Sequence, residues 1–104
     1  MSLLSTVRSR LIQVDSQPTL SACTPNTDVA AGGVALTDIA GTGFEVGVTA
    51  FIVDVNGVIN PITTLVRVSA IKLTGVAPAG AIGTGYVMIR NPDGAPATVP
   101  FIYT

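Results

Sequence analysis

The amino-acid sequence predicts an all-β protein folded as an antiparallel β-sandwich of seven or eight short strands. Of its 104 residues, 14 are Val, 13 are Thr and 9 are Ile, and these β-branched side chains fit a pleated sheet better than a helix. The 11 Gly and 7 Pro separate short segments at a spacing of about ten residues, which is typical of antiparallel strands joined by turns. A single Glu is too little for an ordinary helical protein.

Length and charge narrow the class of protein further. A chain of 104 residues has room for one domain and one core. Its formal net charge of −1 supplies no basic excess for binding nucleic acid. Its hydrophobic content of 48% excludes a disordered chain. Charged residues make up only 11% of the sequence, and such a sparsely charged surface favours contacts with neighbouring proteins.

Residues 1–17 differ from the rest and predict an N-terminal arm ahead of a sandwich over 18–104. The positions Leu4, Val7, Leu11 and Val14 have the spacing of a helical stripe. Residues 10–14 fit a strand equally well, and an unstructured tail is the remaining alternative. If the arm orders against a partner, we expect contacts from these residues: Leu4, Val7, Arg8, Arg10, Leu11 and Ile12.

The sequence predicts neither a membrane segment nor an export signal. The uncharged run 55–66 is interrupted by polar residues and a proline, whereas a spanning helix needs about 20 apolar residues. Arg8 and Arg10 interrupt what would be the apolar part of a signal peptide. We therefore expect synthesis in the cytoplasm without export.

Eight segments have the composition of strands. They cover residues 19–23, 34–40, 48–55, 58–62, 65–69, 71–76, 85–90 and 97–104. The first begins after Pro18 and ends at the turn signal 24–27. Gly32-Gly33 precedes the second, and the loop 41–44 after it is expected to return Phe44 to the core.

The segment 48–55 is expected to be a central strand because both of its faces are apolar. Phe51, Val53 and Val55 alternate with Ala50 and Ile52. A strand covered on both faces has such a continuous apolar run.

Turn-forming residues separate the predicted strands in the second half of the chain. Asn56-Gly57 predicts a hairpin with a type I′ turn. Pro61 predicts that the partner strand is short or at an edge. The segments 78–80 and 91–94 each read as a turn. Pro100 in the last strand lacks an N–H donor, which suits an edge or a bulge.

Several of these stretches, in this order, resemble an IPT/TIG domain, an immunoglobulin-like sandwich of the early-set type. The matching stretches are Gly32-Gly33, Gly41-Thr42-Gly43-Phe44, Val68-Ser69-Ala70 with Leu73 and Pro78-Ala79, the segment from Gly85 through Asn91-Pro92-Asp93-Gly94, and Phe101-Ile102-Tyr103. The resemblance covers about five sixths of the chain and leaves residues 1–17 without a counterpart. Residues 51–57 depart from it, because many members have a glycine-rich strand there.

The resemblance implies a fold and an interaction or spacer role. A separate copy of such a domain looks most like a bacteriophage virion protein, such as one that decorates the head. We therefore expect a structural protein in the virion whose partners are capsid or tail subunits, or further copies of itself. A module that binds carbohydrate or a cell surface, using Tyr86 and Tyr103, is the alternative.

The residues predict no catalytic, cofactor or metal site. Histidine is absent and Cys23 is the single cysteine, which excludes Ser/His/Asp and Cys/His catalysis within this chain and a Cys/His zinc site. Cys23 is expected to be a small buried hydrophobe. The run 54–57 is similar to the start of a calcium loop but lacks the later oxygen ligands, so a hairpin turn is the better interpretation.

Overall fold

A computed structural model of the chain describes residues 18–104, which form nine strands in two sheets and no helix. The all-β prediction is therefore confirmed. The strands are β1 (Thr19–Thr24), β2 (Thr27–Asp28), β3 (Ala35–Thr42), β4 (Thr49–Val53), β5 (Ile59–Pro61), β6 (Thr63–Ser69), β7 (Lys72–Val76), β8 (Gly83–Arg90) and β9 (Pro96–Tyr103).

The two sheets have the strand order of an immunoglobulin sandwich. One sheet is ordered β1-β3-β7-β6 and the other β2-β9-β8-β4-β5, which match the A-B-E-D and G-F-C arrangements of that fold. The pairing is antiparallel except between β2 and β9, which are parallel. Pro25 and Asn26 are the only residues between β1 and β2, and one continuous segment therefore lies at the edge of both sheets.

The core lies between the sheets and takes side chains from both. Leu36, Ile39 and Leu73 from the four-stranded sheet are at most 1% exposed, as are Ile52 and Val87 from the other. Burial of each such side chain stabilises the fold by about 1.5–3 kcal/mol. These contacts join the sheets into one unit.

Three of the five aromatic residues belong to this core. Phe101 and Tyr103 are buried and their rings meet edge to face, with centroids 5.3 Å apart. Phe44 is also buried, which confirms that the loop after β3 returns it to the core.

The predicted strands agree with the observed ones to within a few residues. β4 lies between β8 and β5 and is central, as expected. β5 is a three-residue edge strand that ends at Pro61, which confirms the prediction from that proline. The sequence misses only β2, because two residues show no alternation.

The hairpin between β4 and β5 is confirmed, but its predicted type I′ turn is wrong. Gly57 has φ 80°, whereas Asn56 is not among the residues with positive φ. The Gly57 N–H donates to the Asp54 carbonyl at 2.9 Å, and the Asp54 N–H donates to the Val58 carbonyl at 3.1 Å. This is the three-residue loop in which a type I turn is followed by a left-handed glycine.

The edge strand β6 contains a locally strained residue. Thr64 has φ 54°, and the register of β6 on β7 shifts between Thr63 and Val66. A β-branched residue in the left-handed region is a steric outlier, at a cost of about 1–2 kcal/mol.

We expect Thr64→Gly to leave the free energy of unfolding unchanged or to raise it by about 0.5 kcal/mol, because relief of strain offsets the entropy that glycine loses on folding. Thr74→Gly, in the regular strand β7, should lower it by about 1 kcal/mol. Urea unfolding measures both. An equal loss in the two variants would show that Thr64 is not strained.

Candidate functional site

The candidate site is the outward face of the five-stranded sheet, here called the outer sheet face. Successive side chains of a strand point to opposite sides, and Ala50, Ile52, Val87, Ile89 and Phe101 point into the core. The alternate positions of β4, β5, β8 and β9 therefore point outward. These are Thr49, Phe51, Val53, Ile59, Pro61, Thr84, Tyr86, Met88, Arg90, Pro96, Thr98, Pro100 and Ile102.

Apolar side chains form two adjacent rows across the middle of this face. The strand register places Ile59, Val53, Tyr86 and Pro100 in one row, and Pro61, Phe51, Met88 and Thr98 in the next. Ile59 is 57% exposed and Tyr86 is 40% exposed, whereas Val53 between them is only 4% exposed. The row therefore packs laterally and still presents apolar surface to solvent.

Charge is nearly absent from the outer sheet face. Among its thirteen positions Arg90 alone is charged, and it lies at the end of β8 next to Thr49 and Pro96. Aromatic residues and Met are enriched in the cores of protein interfaces, where charges are depleted. The row that contains Phe51 and Met88 and the row that contains Tyr86 share these features.

The edge of β9 is poorly suited to pairing with another strand. The N–H groups of Ile102 and Thr104 donate to the carbonyls of Asn26 and Asp28 in the β2 segment. Alternate N–H groups point to the same side of a strand, so positions 96, 98 and 100 face the part of this edge that β2 does not cover. Two of these three are prolines and have no N–H to donate. Pro100, for which the sequence predicts an edge or a bulge, lies in the part of β9 that β2 does not pair with.

The outward face of the other sheet is not flat. It contains a shallow open depression of about 370 Å³. Its walls are Ala35, Leu36, Thr37, Thr64, Val66, Thr74, Gly75 and Val76. No charged or aromatic side chain lines it, so it offers few groups that would orient a small ligand.

Asp54 ties together two loops beside the outer sheet face. One of its carboxylate oxygens accepts N–H bonds from Asn56 and Val58 at 2.9 and 3.1 Å. The other accepts from the Asn60 side chain at 3.4 Å and from the Ala81 N–H at 3.3 Å. Both oxygens therefore act in the turn, which confirms a hairpin rather than a calcium loop for 54–57.

These bonds also set the ionisation of Asp54. Desolvation opposes the charged form, but the N–H groups of Val58, Ala81 and Asn56 and the Asn60 amide outweigh it and lower the pKa of Asp54. A lowered pKa contributes stability that is present above the ordinary pKa of about 4 and is lost as pH falls through the folded value.

At the opposite end of the sandwich, the Asn91 side chain hydrogen-bonds to the loop that follows β3. Its side-chain amide donates to the Gly43 carbonyl at 2.8 Å, and its Oδ1 accepts the Glu45 N–H at 3.0 Å. The turn predicted at 91–94 is confirmed, since the Gly94 N–H donates to the Asn91 carbonyl at 2.8 Å. The sequence indicated the turn but not that its first side chain is buried between two loops.

The described chain begins at this Asn91 end, because Thr19 pairs with Thr42 there. Loops at the same end carry Val46 and Ile71, which are 81% and 61% exposed. The six predicted partner-binding residues, Leu4, Val7, Arg8, Arg10, Leu11 and Ile12, lie outside the described residues. The structure therefore fixes where such an arm is attached.

Two titratable groups of the described residues, Cys23 and Tyr103, are buried. Cys23 is 5% exposed, and burial, together with the charge of Asp38, raises its pKa to about 11; the prediction of a buried hydrophobe is confirmed. Tyr103 donates to the Pro78 carbonyl at 2.6 Å, and burial, with Asp28 and Asp54, raises its pKa to about 12.

Residues 18–104 contain no group of three or more acidic or cysteine side chains placed to hold a metal ion. The same part of the chain has no helix able to cross a membrane. The glycines of the segment 80–85 serve packing: a Cβ on Gly80 would lie 2.4 Å from the Tyr103 ring, and one on Gly85 would lie 2.1 Å from the Val53 carbonyl oxygen.

Comparison with known proteins does not assign a family. Neither a scan of protein-family models nor a search of curated proteins gives a match to this chain. The resemblance to IPT/TIG domains therefore remains a prediction. The strand order does not identify a function either, because proteins with this sandwich fold have many unrelated functions.

We expect Asp54→Asn to destabilise the protein at pH 7, because the hydrogen bonds to a charged acceptor become weaker. The difference from the unchanged protein should shrink as pH falls below about 4. Urea midpoints from pH 7 to pH 3 measure this. Glu45→Gln is the control that removes one negative charge elsewhere, and an equal pH dependence in both variants would contradict the role of Asp54.

We expect the Cys23 thiol of the folded protein to react with a thiol reagent at pH 8 far more slowly than the same thiol in urea, because both burial and the raised pKa suppress the thiolate. A colorimetric disulfide reagent gives both rates. Comparable rates in the two conditions would show that Cys23 is accessible.

Proposed function

We propose that this chain is a non-enzymatic structural protein that assembles through apolar surface, and that it is an accessory protein of a virion, such as a phage head-decoration protein. The observation that carries the proposal is the outer sheet face, which has exposed apolar rows and one charged residue, Arg90. The assignment to a virion comes from the resemblance to IPT/TIG modules in phage particles.

The distribution of charge supports a role for the arm in docking. Residues 18–104 contain three cations and five acids, a net charge of −2, whereas residues 1–17 contain Arg8, Arg10 and Asp15, a net charge of +1. The arm would bind with its apolar residues against a partner and its two arginines near acidic groups. Seventeen residues reach at most about 55 Å when extended, which is enough to contact a neighbouring subunit.

A carbohydrate-binding module is the second candidate, and the described surface supports it less well. Three of the five aromatic residues are buried, namely Phe44, Phe101 and Tyr103. Tyr86 is exposed, but it lies on a flat strand between Val53 and Pro100 rather than beside polar loops. A sugar site usually combines an exposed aromatic with several convergent polar groups.

Density-gradient fractionation of a lysate from cells that produce the protein tests the proposal. We expect this chain to migrate with virus particles at a fixed ratio to the major shell protein, as measured by mass spectrometry. Its confinement to the soluble fractions at the top of the gradient would contradict a place in the virion.

The same gradient tests the arm. The double variant Leu4→Glu with Leu11→Glu should leave the particle fractions, because it places charges on the apolar contact. Ser5→Glu with Ser9→Glu adds the same charge to the same segment and should remain bound. If both double variants leave the particle fractions, or if both remain in them, docking through the apolar residues of the arm is contradicted.

A further inference from the structure

We infer that the outer sheet face is the contact surface of a homodimer, in which a second copy of this chain packs its own outer sheet face against it. The inference rests on the proposed function, since it names one partner of the same low-charge surface. It is carried by the shape, area and charge of that face.

The edges of the described strands are poorly suited to pairing with a partner, so the sheet faces are the surfaces available for binding one. Pro96 and Pro100 remove donors from the uncovered edge of β9, and β5 is short and ends in Pro61. The register of β6 shifts twice, and its Thr64 is in the left-handed region. Prolines, short edges and bulges all oppose pairing with a further strand. A partner is therefore expected to pack on a face rather than to extend a sheet.

The area of the outer sheet face lies at the lower limit for a dimer. The strands β4, β5, β8 and β9 contribute 5, 3, 8 and 8 residues, and each residue covers about 16 Å² of flat sheet. This corresponds to roughly 390 Å² of flat sheet in each copy, before the relief of the side chains is added. Two copies cover about 780 Å² of flat sheet in total, so the contact reaches the size of about 1,000 Å² expected of a biological interface through the relief of its side chains.

The charge of the face favours a copy of itself over a charged partner. The face has no acidic residue for a basic partner, and it offers an acidic partner only Arg90 at one end. A charged surface placed on the apolar rows would lose hydration without finding a counter-ion. The outer sheet face of a second copy would instead place its own apolar rows against these rows.

A two-fold axis through the middle of the face also separates the two arginines. With the strands of the two copies running in opposite directions, each Arg90 lies over the Thr84 and Ile102 end of the other copy. The six-residue separation of positions 84 and 90 then keeps the arginines about 20 Å apart, well beyond the screening length of about 8 Å at physiological salt. Two sheets packed in this way lie about 10 Å apart, and two-fold dimers are the commonest assemblies.

Sedimentation equilibrium of the full-length chain tests the inference. We expect a dimer, and we expect Tyr86→Lys to raise the dissociation constant at least 30-fold. Ile59→Lys, which is in the same row and more exposed, should do the same and guards against a folding defect at position 86. Val66→Lys is the matched control, because Val66 is 51% exposed on the opposite sheet, and it should remain dimeric.

Cross-linking locates the contact. Met88→Cys lies near the expected two-fold axis and should give a covalent dimer with a short bifunctional maleimide, whereas Thr74→Cys on the other sheet should not. The native Cys23 is buried and does not compete.

Three results would overturn the inference. The first is a full-length chain that stays monomeric at about 100 µM, well above a micromolar affinity. The second is a dimer that is lost in Val66→Lys but kept in Tyr86→Lys and Ile59→Lys. The third is a dimer that only the Leu4→Glu with Leu11→Glu variant disrupts, which would assign the contact to the arm. Particle binding in the gradient is measured independently, so a failed dimer and a failed virion assignment are distinguishable.

Discussion

The two-residue alternation of β4, β8 and β9 is the constraint on which the rest of this structure depends. On one side of these strands Ile52, Val87 and Phe101 fill the core, with no measurable exposure. On the other side Phe51, Tyr86 and Met88 make a second apolar surface. Because alternate side chains point to opposite faces, a sequence that is apolar at nearly every position must cover both faces of the sheet. The fold covers the inner face with the four-stranded sheet, and the outer face keeps exposed apolar side chains such as Ile59 and Tyr86.

The ends of the strands keep these faces flat and in register. Asp54 holds the loops at one end through four hydrogen bonds, and Asn91 holds the loops at the other. Both residues are at least 90% buried, and loss of these hydrogen bonds would leave a buried polar group without partners. The same residues that fix the turns therefore also fix the relative positions of the strands in the five-stranded sheet.

Much of the fold is readable from local patterns, and the parts that are not depend on contacts distant in sequence. Alternation and turn residues predict eight of the nine strands, the central position of β4 and the edge position of β5. They do not predict β2, whose two residues are defined by pairing with Ile102 and Tyr103. They give the wrong turn at Asn56-Gly57, because the Asp54 carboxylate binds the N–H groups that select a type I turn.

The candidate site was less predictable than the fold, for a related reason. The apolar run 48–55 indicates a strand with two apolar faces, but not that the other sheet covers only one of them. The outer sheet face draws on four strands from residue 49 to residue 102, so its rows exist only once the register is set. The partner-binding residues inferred from the sequence lie instead in residues 1–17, outside the described part.

The ε-methyl group of Met88 offers the most direct test of whether the outer sheet face is a covered surface. The chain contains two methionines, Met1 and Met88, so ¹³C-methyl labelling gives a simple NMR spectrum in which Met88 reports on the centre of this face. The account predicts that the Met88 signal shifts with protein concentration and is protected from a soluble paramagnetic agent in the associated state. A Met88 signal that is independent of concentration and fully accessible to the agent would contradict it.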